Sequence, residues 1–254
     1  MKIISYNLNG IRAAINKGLV EWLKSEKPDI FCIQELKANK DQVDTKEIHE
    51  LGYECYWLSA VKKGYSGVAI FSKIKPNHIE YGCGIEKYDF EGRVIRADYD
   101  TFSILSVYHP SGSSGDERQE FKMEWLKDFY HYIENLKKTI PNLIISGDLN
   151  ICHQAIDIHN PKSNANSSGF LPEERAWVDE FLSLGFHDTY RIFHPEPGKY
   201  SWWSYRFNSR EKNLGWRIDY HFVSDTIIHR IKDADILNSA EHSDHCPVSL
   251  IFEE

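Results

Sequence analysis

Short apolar runs rich in β-branched residues recur along the whole chain and limit it to a fold built on β-sheet. Eight runs have the length and composition of buried strands. They span residues 2–6, 29–34, 67–72, 93–98, 102–108, 142–147, 217–224 and 247–252. Helical patterns alternate with some of them, so we expect a single α/β domain over residues 1–254, with mixed sheets covered by helices.

Two helices and one hairpin are predicted from local signals. Residues 114–138 carry an apolar stripe at helical spacing, and Ser114 and Glu117 have the spacing of a capping box. A second helix is predicted over 172–184, with Pro172 in its first turn and Gly185 as its stop. Strands 93–98 and 102–108, joined by a three-residue turn, predict an antiparallel hairpin.

Composition excludes several classes of protein. The five cysteines are scattered and form no C-x-x-C pair, which argues against a disulfide framework and a cysteine zinc site. No apolar run approaches the length of a membrane span and no signal-peptide core is present, so we expect a cytoplasmic protein. The formal net charge of −8 weighs against indiscriminate binding of nucleic acid, although a carboxylate metal site would itself contribute to it.

Polar side chains collect where the predicted strands begin or end. The run LIISGDLN ends in Asp148 and Asn150, and five other strand tips carry oxygen or imidazole groups. These other groups are Asn7, Asn9, Gln34, Glu35, Tyr108, His109, Asp219, Asp244 and His245. Each alone is an ordinary turn residue. Six such ends together indicate a ligand site, because sites in α/β folds commonly lie at strand ends.

The residue types at these ends indicate metal-assisted phosphate chemistry. Carboxylate and amide oxygens are hard donors, which suit Mg²⁺ or Mn²⁺ rather than zinc. Such ions neutralise phosphate oxygens and activate water. His245 can act on a proton or on a phosphate oxygen, and Asp219 can orient its imidazole.

The motifs YNLNG, QELK, GYSG, GRVI, VYHPS, GDLNI, NPK, KNLGWRIDY and SDHCP occur in this order along the chain. In this the sequence resembles the exonuclease III family of apurinic/apyrimidinic (abasic-site) endonucleases, over about residues 2–252. GDLN and SDH mark only the wider endonuclease/exonuclease/phosphatase superfamily, whereas NPK and WRIDY are more specific. The resemblance implies a four-layer α/β sandwich, with two mixed sheets face to face and helices outside.

The resemblance also implies roles for the residues at the strand ends. Glu35 is the expected principal metal ligand with Asn7 beside it, and Asp148 aligns or deprotonates the attacking water. Asn150 helps hold that water or the phosphate, and Tyr108 contacts the scissile phosphate or the metal-bound oxygen. Asp219 pairs with a phosphate-binding His245. Further metal contacts are expected from Asn150 and Asp244, as well as from Asp148 and His245.

A basic and aromatic segment, residues 199–217, indicates a nucleic-acid surface. It holds three of the seven tryptophans, with Lys199, Arg206, Arg210, Lys212 and Arg217. The family resemblance implies that Trp202, Trp216 and Ile218 form an apolar pocket for an abasic deoxyribose. Further expected substrate contacts are Asn164, Arg206, Lys62, Tyr65, Arg118 and Lys122. For the last four, an ordinary solvated surface is an equally good interpretation.

Together these patterns predict a Mg²⁺-dependent DNA repair nuclease that cleaves duplex DNA 5′ to abasic sites. It is expected to act also as a 3′→5′ exonuclease and 3′-phosphatase on blocked 3′ ends, as a monomer. The alternatives are a phosphatase of inositol phosphates or other small phosphoesters, and a DNA-binding module without catalysis. Asn9, Ser111 and Ser167 stand where some family members carry other residues, which affects metal affinity or DNA contacts rather than the reaction class.

Overall fold

Two six-stranded β-sheets stack face to face in the computed structural model, which describes residues 1–253. The strands are β1 Lys2–Asn7, β2 Ile30–Gln34, β3 Glu54–Leu58, β4 Val68–Ser72, β5 His78–Tyr81, β6 Val94–Asp98, β7 Ser103–Tyr108, β8 Leu143–Asp148, β9 Phe186–Asp188, β10 Trp202–Trp203, β11 Gly215–Trp216, β12 Asp219–Ser224, β13 Ile231–Ile236 and β14 Val248–Phe252. The first sheet has the order β13-β14-β1-β2-β4-β3, and the second β5-β6-β7-β8-β12-β9. Both are mixed, because β1/β2 and β7/β8 are parallel pairs and the other pairs are antiparallel.

Helices cover the outer face of each sheet and complete a four-layer sandwich. They are α1 Ile11–Asn16, α2 Leu19–Glu26, α3 Lys46–Glu50, α4 Glu86–Asp89, α5 Asp116–Thr139, α6 Pro172–Ser183 and α7 Thr189–Phe193. One apolar cluster joins α1, α2 and α3 to the first sheet, and another joins α5 and α6 to the second. The four-layer α/β fold expected from the sequence is therefore confirmed.

The layer between the sheets has a largely aliphatic core. Ile30, Cys32 and Ile70 from the first sheet contact Ile104 and Ile144 from the second, and all five are fully buried. Burying one such large aliphatic side chain contributes about 1.5–3 kcal/mol. This rigid interior fixes the ends of the central strands relative to one another.

All eight strands expected from the sequence are present, as are both helices and the β6/β7 hairpin. The capping box at Ser114 and Glu117 is wrong. Helix α5 begins at Asp116 behind Gly115, which adopts φ 114°, and no side chain caps its first turn. Gly185 adopts φ 86° directly after Leu184, the C-cap of α6, as expected of a helix stop. Within residues 1–253, no helix is long and apolar enough to cross a membrane.

Candidate active site

The ends of four central strands meet at one edge of the sandwich. Asn7 and Gln34 are paired at the ends of the parallel strands β1 and β2, and Glu35 follows Gln34. Tyr108 and Asp148 are paired in the same way at the ends of β7 and β8. Parallel neighbours end together, so two such pairs in facing sheets bring their tips into one cluster.

The backbone at these tips is held in uncommon conformations. Asn9, Glu35 and Asn150 have φ of 47°, 52° and 54°, in the left-handed region that non-glycine residues rarely adopt. Gly147 is required for a different reason, because a Cβ there would lie 1.9 Å from the carbonyl oxygen of Val107 on β7. The glycine in LIISGDLN thus allows β8 to approach β7 closely just before Asp148.

Asn7 joins the two principal carboxylates. Its buried side-chain amide donates to Glu35 Oε1 at 3.0 Å and to Asp148 Oδ2 at 2.8 Å. The other Asp148 oxygen accepts the backbone N–H of Asn150 at 2.8 Å. The side-chain amide of Asn150 also donates to Asp148, at 3.2 Å. Asp148 is therefore held in one orientation by three amide donors.

Asp219 and His245 form a second pair beside this group. Asp219 begins β12 directly opposite Asp148, and its Oδ2 lies 2.9 Å from His245 Nδ1. Ser201 donates to the same oxygen at 2.7 Å. His245 Nε2 lies 3.9 Å from Asp148 Oδ2, so the imidazole stands between two carboxylates. Burial alone would lower the pKa of His245, but Asp219, Asp148 and Asp244 raise it to about 10.

Negative charge is crowded at this edge. Burial, together with the charges of Asp219 and Glu35, raises the pKa of Asp148 despite the opposing effect of His245. Burial and the charges of Glu35 and Asp148 also raise the pKa of Tyr108 well above its ordinary value. The buried Asp219 Oδ1 has no hydrogen-bond partner within residues 1–253. A cation placed here would offset these repulsions.

The donor set fits a divalent cation. One ligand atom from each of Glu35, Asp148 and His245 lies within 4.8 Å of the others. Asp244 lies outside this group, and its carboxylate instead accepts hydrogen bonds from Asn9 at 2.9 Å and Trp202 at 3.0 Å. Metal ligation by Asp244 stays a prediction, as do the individual roles assigned to the other residues.

An apolar wall lines the same cleft, of about 380 Å³, as the carboxylates. Trp202 and Trp216 are paired on β10 and β11, with their rings nearly perpendicular and 6.0 Å apart. Ile218 is buried beside them, and Gly169 lies under the Trp216 ring. Glu35, Tyr108, Asp148 and His245 line this cleft as well. The structure thus brings the expected pocket and the expected hydrolytic residues together.

The expected surface contacts fall into two groups. Lys62, Tyr65 and Arg118 lie together, because Arg118 donates to the Tyr65 hydroxyl at 3.0 Å and Lys62 lies 5.2 Å from the centre of the Tyr65 ring. Arg206 is exposed on the turn after β10. Asn164 donates to the carbonyls of His159 and Asn160 within its own loop. Contact of these residues with DNA stays a prediction.

The expectation that Lys122 contacts the DNA backbone is wrong. Its side chain is fully buried in α5, and its ammonium donates to Glu174 at 2.6 Å and to the carbonyl of Asn150 at 2.8 Å. Glu174 in turn accepts the backbone N–H groups of Gly169 and Leu171. Lys122 thus connects the tip of β8 to the loop under Trp216.

The basic and aromatic segment is also less exposed than its composition indicates. Arg217 is fully buried between Asp157 and Asp188, Arg210 donates to three backbone carbonyls, and Lys199 pairs with Asp235. These three cations stabilise the fold. Arg206 and Lys212 remain exposed and make no side-chain hydrogen bond or ion pair within residues 1–253.

Two residues of the site were missed by sequence reasoning. Lys37 lies 2.7 Å from Glu35 Oε2 and also donates to Asn9. Ser201 donates to Asp219 and accepts the backbone N–H groups of Ile218 and Asp219. The motif QELK contains Lys37 and offered a signal, whereas nothing in the local sequence distinguishes Ser201 from other serines.

Comparison with known proteins agrees with this arrangement. The sequence pattern of the "Endonuclease/Exonuclease/phosphatase family" matches residues 4–245. An exodeoxyribonuclease from Bacillus subtilis is 46% identical over 254 residues, which covers 99% of each chain. A solved AP endonuclease from Archaeoglobus fulgidus superposes with a TM-score of 0.91 at 32% identity, with 100% of both chains covered. A 3′ phosphatase from Neisseria, solved with a product DNA hairpin, gives a TM-score of 0.92 at 28% identity, again over 100% of both chains.

Proposed function

The chain belongs to the endonuclease/exonuclease/phosphatase family, and we propose that it is a Mg²⁺-dependent DNA repair nuclease. It hydrolyses the phosphodiester 5′ to an abasic site in duplex DNA and leaves a 3′-hydroxyl. The same centre removes 3′-terminal nucleotides and 3′-phosphates, since each of these reactions hydrolyses a phosphoester at a 3′ oxygen. Relatives named for exonuclease, abasic-site endonuclease and 3′-phosphatase activity support this range.

One observation carries the proposal. A single cleft is lined by carboxylates and an imidazole together with two tryptophans and an isoleucine. The polar groups suit a phosphate, and the apolar groups suit a sugar that carries no base. An abasic nucleotide costs little to remove from the duplex, because it has no base to unstack.

Glu35 and Asp148, with Asn7 and Asn150 beside them, are the residues that would hold the cation while His245 is charged. His245 would join them only after losing its proton, because a charged imidazole has no free nitrogen lone pair. When bound, Mg²⁺ supplies neutralisation of the phosphate oxygens and a lower pKa for water. Mn²⁺ is expected to substitute, because it accepts the same oxygen donors. The crowded negative charge around Asp148 supports a cation at this position.

In this proposal, side chains of the protein accept the proton of the attacking water and stabilise the charge on the phosphate. Asp148 would accept the proton of the attacking water, because three amide donors hold its carboxylate in one orientation at the strand tip. Asp219 keeps the imidazole of His245 charged, so that it stabilises the charge that develops on the phosphate. Burial and the negative charges of Glu35 and Asp148 raise the pKa of Tyr108. Its hydroxyl therefore stays protonated and donates a hydrogen bond to a phosphate oxygen.

Substrate recognition is assigned to two groups of residues, one for the abasic sugar and one for the flanking DNA. Trp202, Trp216 and Ile218 enclose the abasic sugar. Contacts with the flanking DNA are assigned to a group of polar and basic residues, namely Asn164, Arg206, Lys62, Tyr65 and Arg118. Action as a monomer in the cytoplasm stays a prediction.

The test is cleavage of a labelled duplex that contains one abasic analogue, beside the same duplex without it. We expect cleavage 5′ to the analogue in Mg²⁺ or Mn²⁺, none in EDTA, and recovery when Mg²⁺ is returned. Full activity without metal would contradict the mechanism. Hydrolysis of a soluble inositol phosphate without DNA cleavage, or DNA binding without turnover, would replace the proposed function.

A further inference from the structure

A chain of hydrogen bonds runs from the wall of the sugar pocket to the principal carboxylate. The indole N–H of Trp202 donates to Asp244 Oδ2 at 3.0 Å. Asn9 Nδ2 donates to the other oxygen of Asp244 at 2.9 Å, and Asn9 Oδ1 accepts from the Lys37 ammonium. Lys37 lies 2.7 Å from Glu35 Oε2. Four consecutive polar contacts therefore connect Trp202 to Glu35.

The two tryptophans of the pocket differ in this hydrogen bond and in their backbone neighbours, which are His245 for Trp202 and Ile158 for Trp216. Both are half-buried, they are cross-strand partners, and their rings are 6.0 Å apart. Trp202 donates its N–H to Asp244, whereas the Trp216 N–H makes no hydrogen bond within residues 1–253. Trp216 is therefore a matched control for the effect of the hydrogen bond.

Asn9 determines which groups donate and which accept in this series of hydrogen bonds. Its amide is the one group here that donates towards Asp244 and accepts from Lys37 at the same time. An aspartate at this position could accept from Lys37, but it would face Asp244 with a second negative charge and no donor. The backbone N–H of Asn9 donates to Asn7 Oδ1 at 2.9 Å, which ties this residue to the carboxylate group as well.

We propose that Asn9 and Asp244 are positioning residues that couple occupancy of the sugar pocket to cation binding at Glu35. A cation at Glu35 competes with Lys37 for this carboxylate and shifts the ammonium towards Asn9. The strengthened contact orients the Asn9 amide towards Asp244 and so fixes Trp202 against the sugar, because bonds in such chains polarise one another. Linkage requires the reverse effect as well, so an abasic sugar in the pocket favours the cation.

This inference rests on the proposed function, and its test uses binding rather than turnover. The affinity of a fluorescent duplex with one abasic analogue is measured by anisotropy in EDTA and in Ca²⁺, an oxygen-seeking ion used as the probe. The same duplex without the analogue corrects for the general effect of Ca²⁺ on DNA binding. We expect Ca²⁺ to strengthen binding of the abasic duplex by about 5-fold or more beyond the control.

The variants separate the hydrogen bond from the ring. Trp202→Phe should lose the extra Ca²⁺ effect, since phenylalanine has no N–H, whereas Trp216→Phe should keep it. Asn9→Asp alone should lose it too. Asn9→Asp combined with Asp244→Asn should restore it, because the exchanged pair again offers a donor for each acceptor and an oxygen for Trp202. Circular dichroism verifies the fold of each variant.

Four results would overturn the coupling. Equal Ca²⁺ effects in Trp202→Phe and Trp216→Phe would overturn the coupling, and so would a double exchange that behaves like the single variants although all are folded. A wild-type protein that cleaves the abasic duplex but shows the same Ca²⁺ effect on both duplexes would overturn the coupling alone. A wild-type protein that neither prefers nor cleaves the abasic duplex would overturn the proposed function together with the coupling.

Discussion

Strands β8 and β12 carry two cross-strand pairs, two residues apart on the same face, that have opposite properties. Asp148 lies opposite Asp219 at the edge of the sandwich, and Ser146 lies opposite His221 one step further in. All four residues are buried. Ser146 Oγ and His221 Nδ1 are 2.7 Å apart, and His221 Nε2 lies 3.0 Å from the carbonyl of Val248, so the inner pair is fully satisfied without charge.

Two histidines show what the difference means: His221 of the inner pair, and His245, which contacts Asp219 of the outer pair. Burial lowers the pKa of His221 to about 4. His245 is equally enclosed, yet the carboxylates of Asp219, Asp148 and Asp244 overcome the effect of burial and raise its pKa to about 10. Burial is therefore common to scaffold and site. The site differs from the scaffold in its excess of carboxylates. The protein's own groups do not neutralise their negative charge, and a bound cation can.

The largest effect is expected from Asp148→Asn. Loss of the base should lower kcat on DNA on the order of 10²-fold or more. The thermal midpoint should stay the same or rise, because a buried carboxylate without a cation is costly. Steady-state kinetics and a thermal melt without metal measure the two effects. Near-normal kcat would remove Asp148 from the mechanism.

Exchanging the two histidines for alanine should give opposite outcomes. His245→Ala should lower kcat on the order of 10²-fold or more, with the fold retained. His221→Ala should leave the residues that face the substrate in place but lower the free energy of unfolding by about 1–3 kcal/mol, since Ser146 and the Val248 carbonyl lose their partner. Urea unfolding and kcat are measured for both. Similar profiles for the two variants would break the comparison.

The inner pair also predicts a pH dependence of stability. The folded-state pKa of His221 is about 4 and its unfolded value is 6.5, so the unfolded chain binds more protons between these values. Stability from this group is therefore present above pH 6.5 and is lost as the pH falls towards 4, on the order of 3 kcal/mol. Urea unfolding of wild type and His221→Gln over this range isolates the contribution. Equal losses in both proteins would contradict it.

The smallest effect is expected from replacing basic side chains. Arg206 is exposed, whereas Lys122 is buried against Glu174. Arg206→Ala should lower the slope of log binding constant against log salt by about 1, as loss of one phosphate contact does. Lys122→Met should lower stability and leave that slope unchanged. A reduced slope in Lys122→Met, with its fold intact, would restore the original expectation that it contacts DNA.

The central strands were predictable because both faces are buried. Residues 30–33 and 143–145 are continuously apolar, and the tips of these runs are recognised by the change to polar residues. Four strands of the six-stranded sheets were missed by sequence reasoning, namely β3, β5, β9 and β13, and all four are edge strands. The two-residue strands β10 and β11 were missed as well. Strand β13, IKDADI, mixes apolar with charged residues because part of it is open to solvent. Its apolar signal is therefore weak.

Prediction of the site residues also depended on whether a residue is buried or exposed. Asn7, Glu35, Asp148, Asp219 and His245 were identified from strand ends, and the structure brings them together. Lys122 and Arg217 were misjudged because sequence gives charge but not burial. Their carboxylate partners, Glu174, Asp157 and Asp188, are 29 to 60 residues away along the chain, so local sequence gave no indication of the ion pairs.

The central claim, that the unbalanced carboxylates at the strand tips form the cation site, is tested most directly by the protons released when Mg²⁺ binds. The measurement is isothermal titration of the metal-free protein with Mg²⁺ near neutral pH, in buffers that differ in ionisation enthalpy. Because the pKa values of Asp148 and His245 are raised, cation binding should release a proton from this pair, and Glu35→Gln should abolish both binding and release. Binding without proton release, or binding unaffected by Glu35→Gln, would contradict the account.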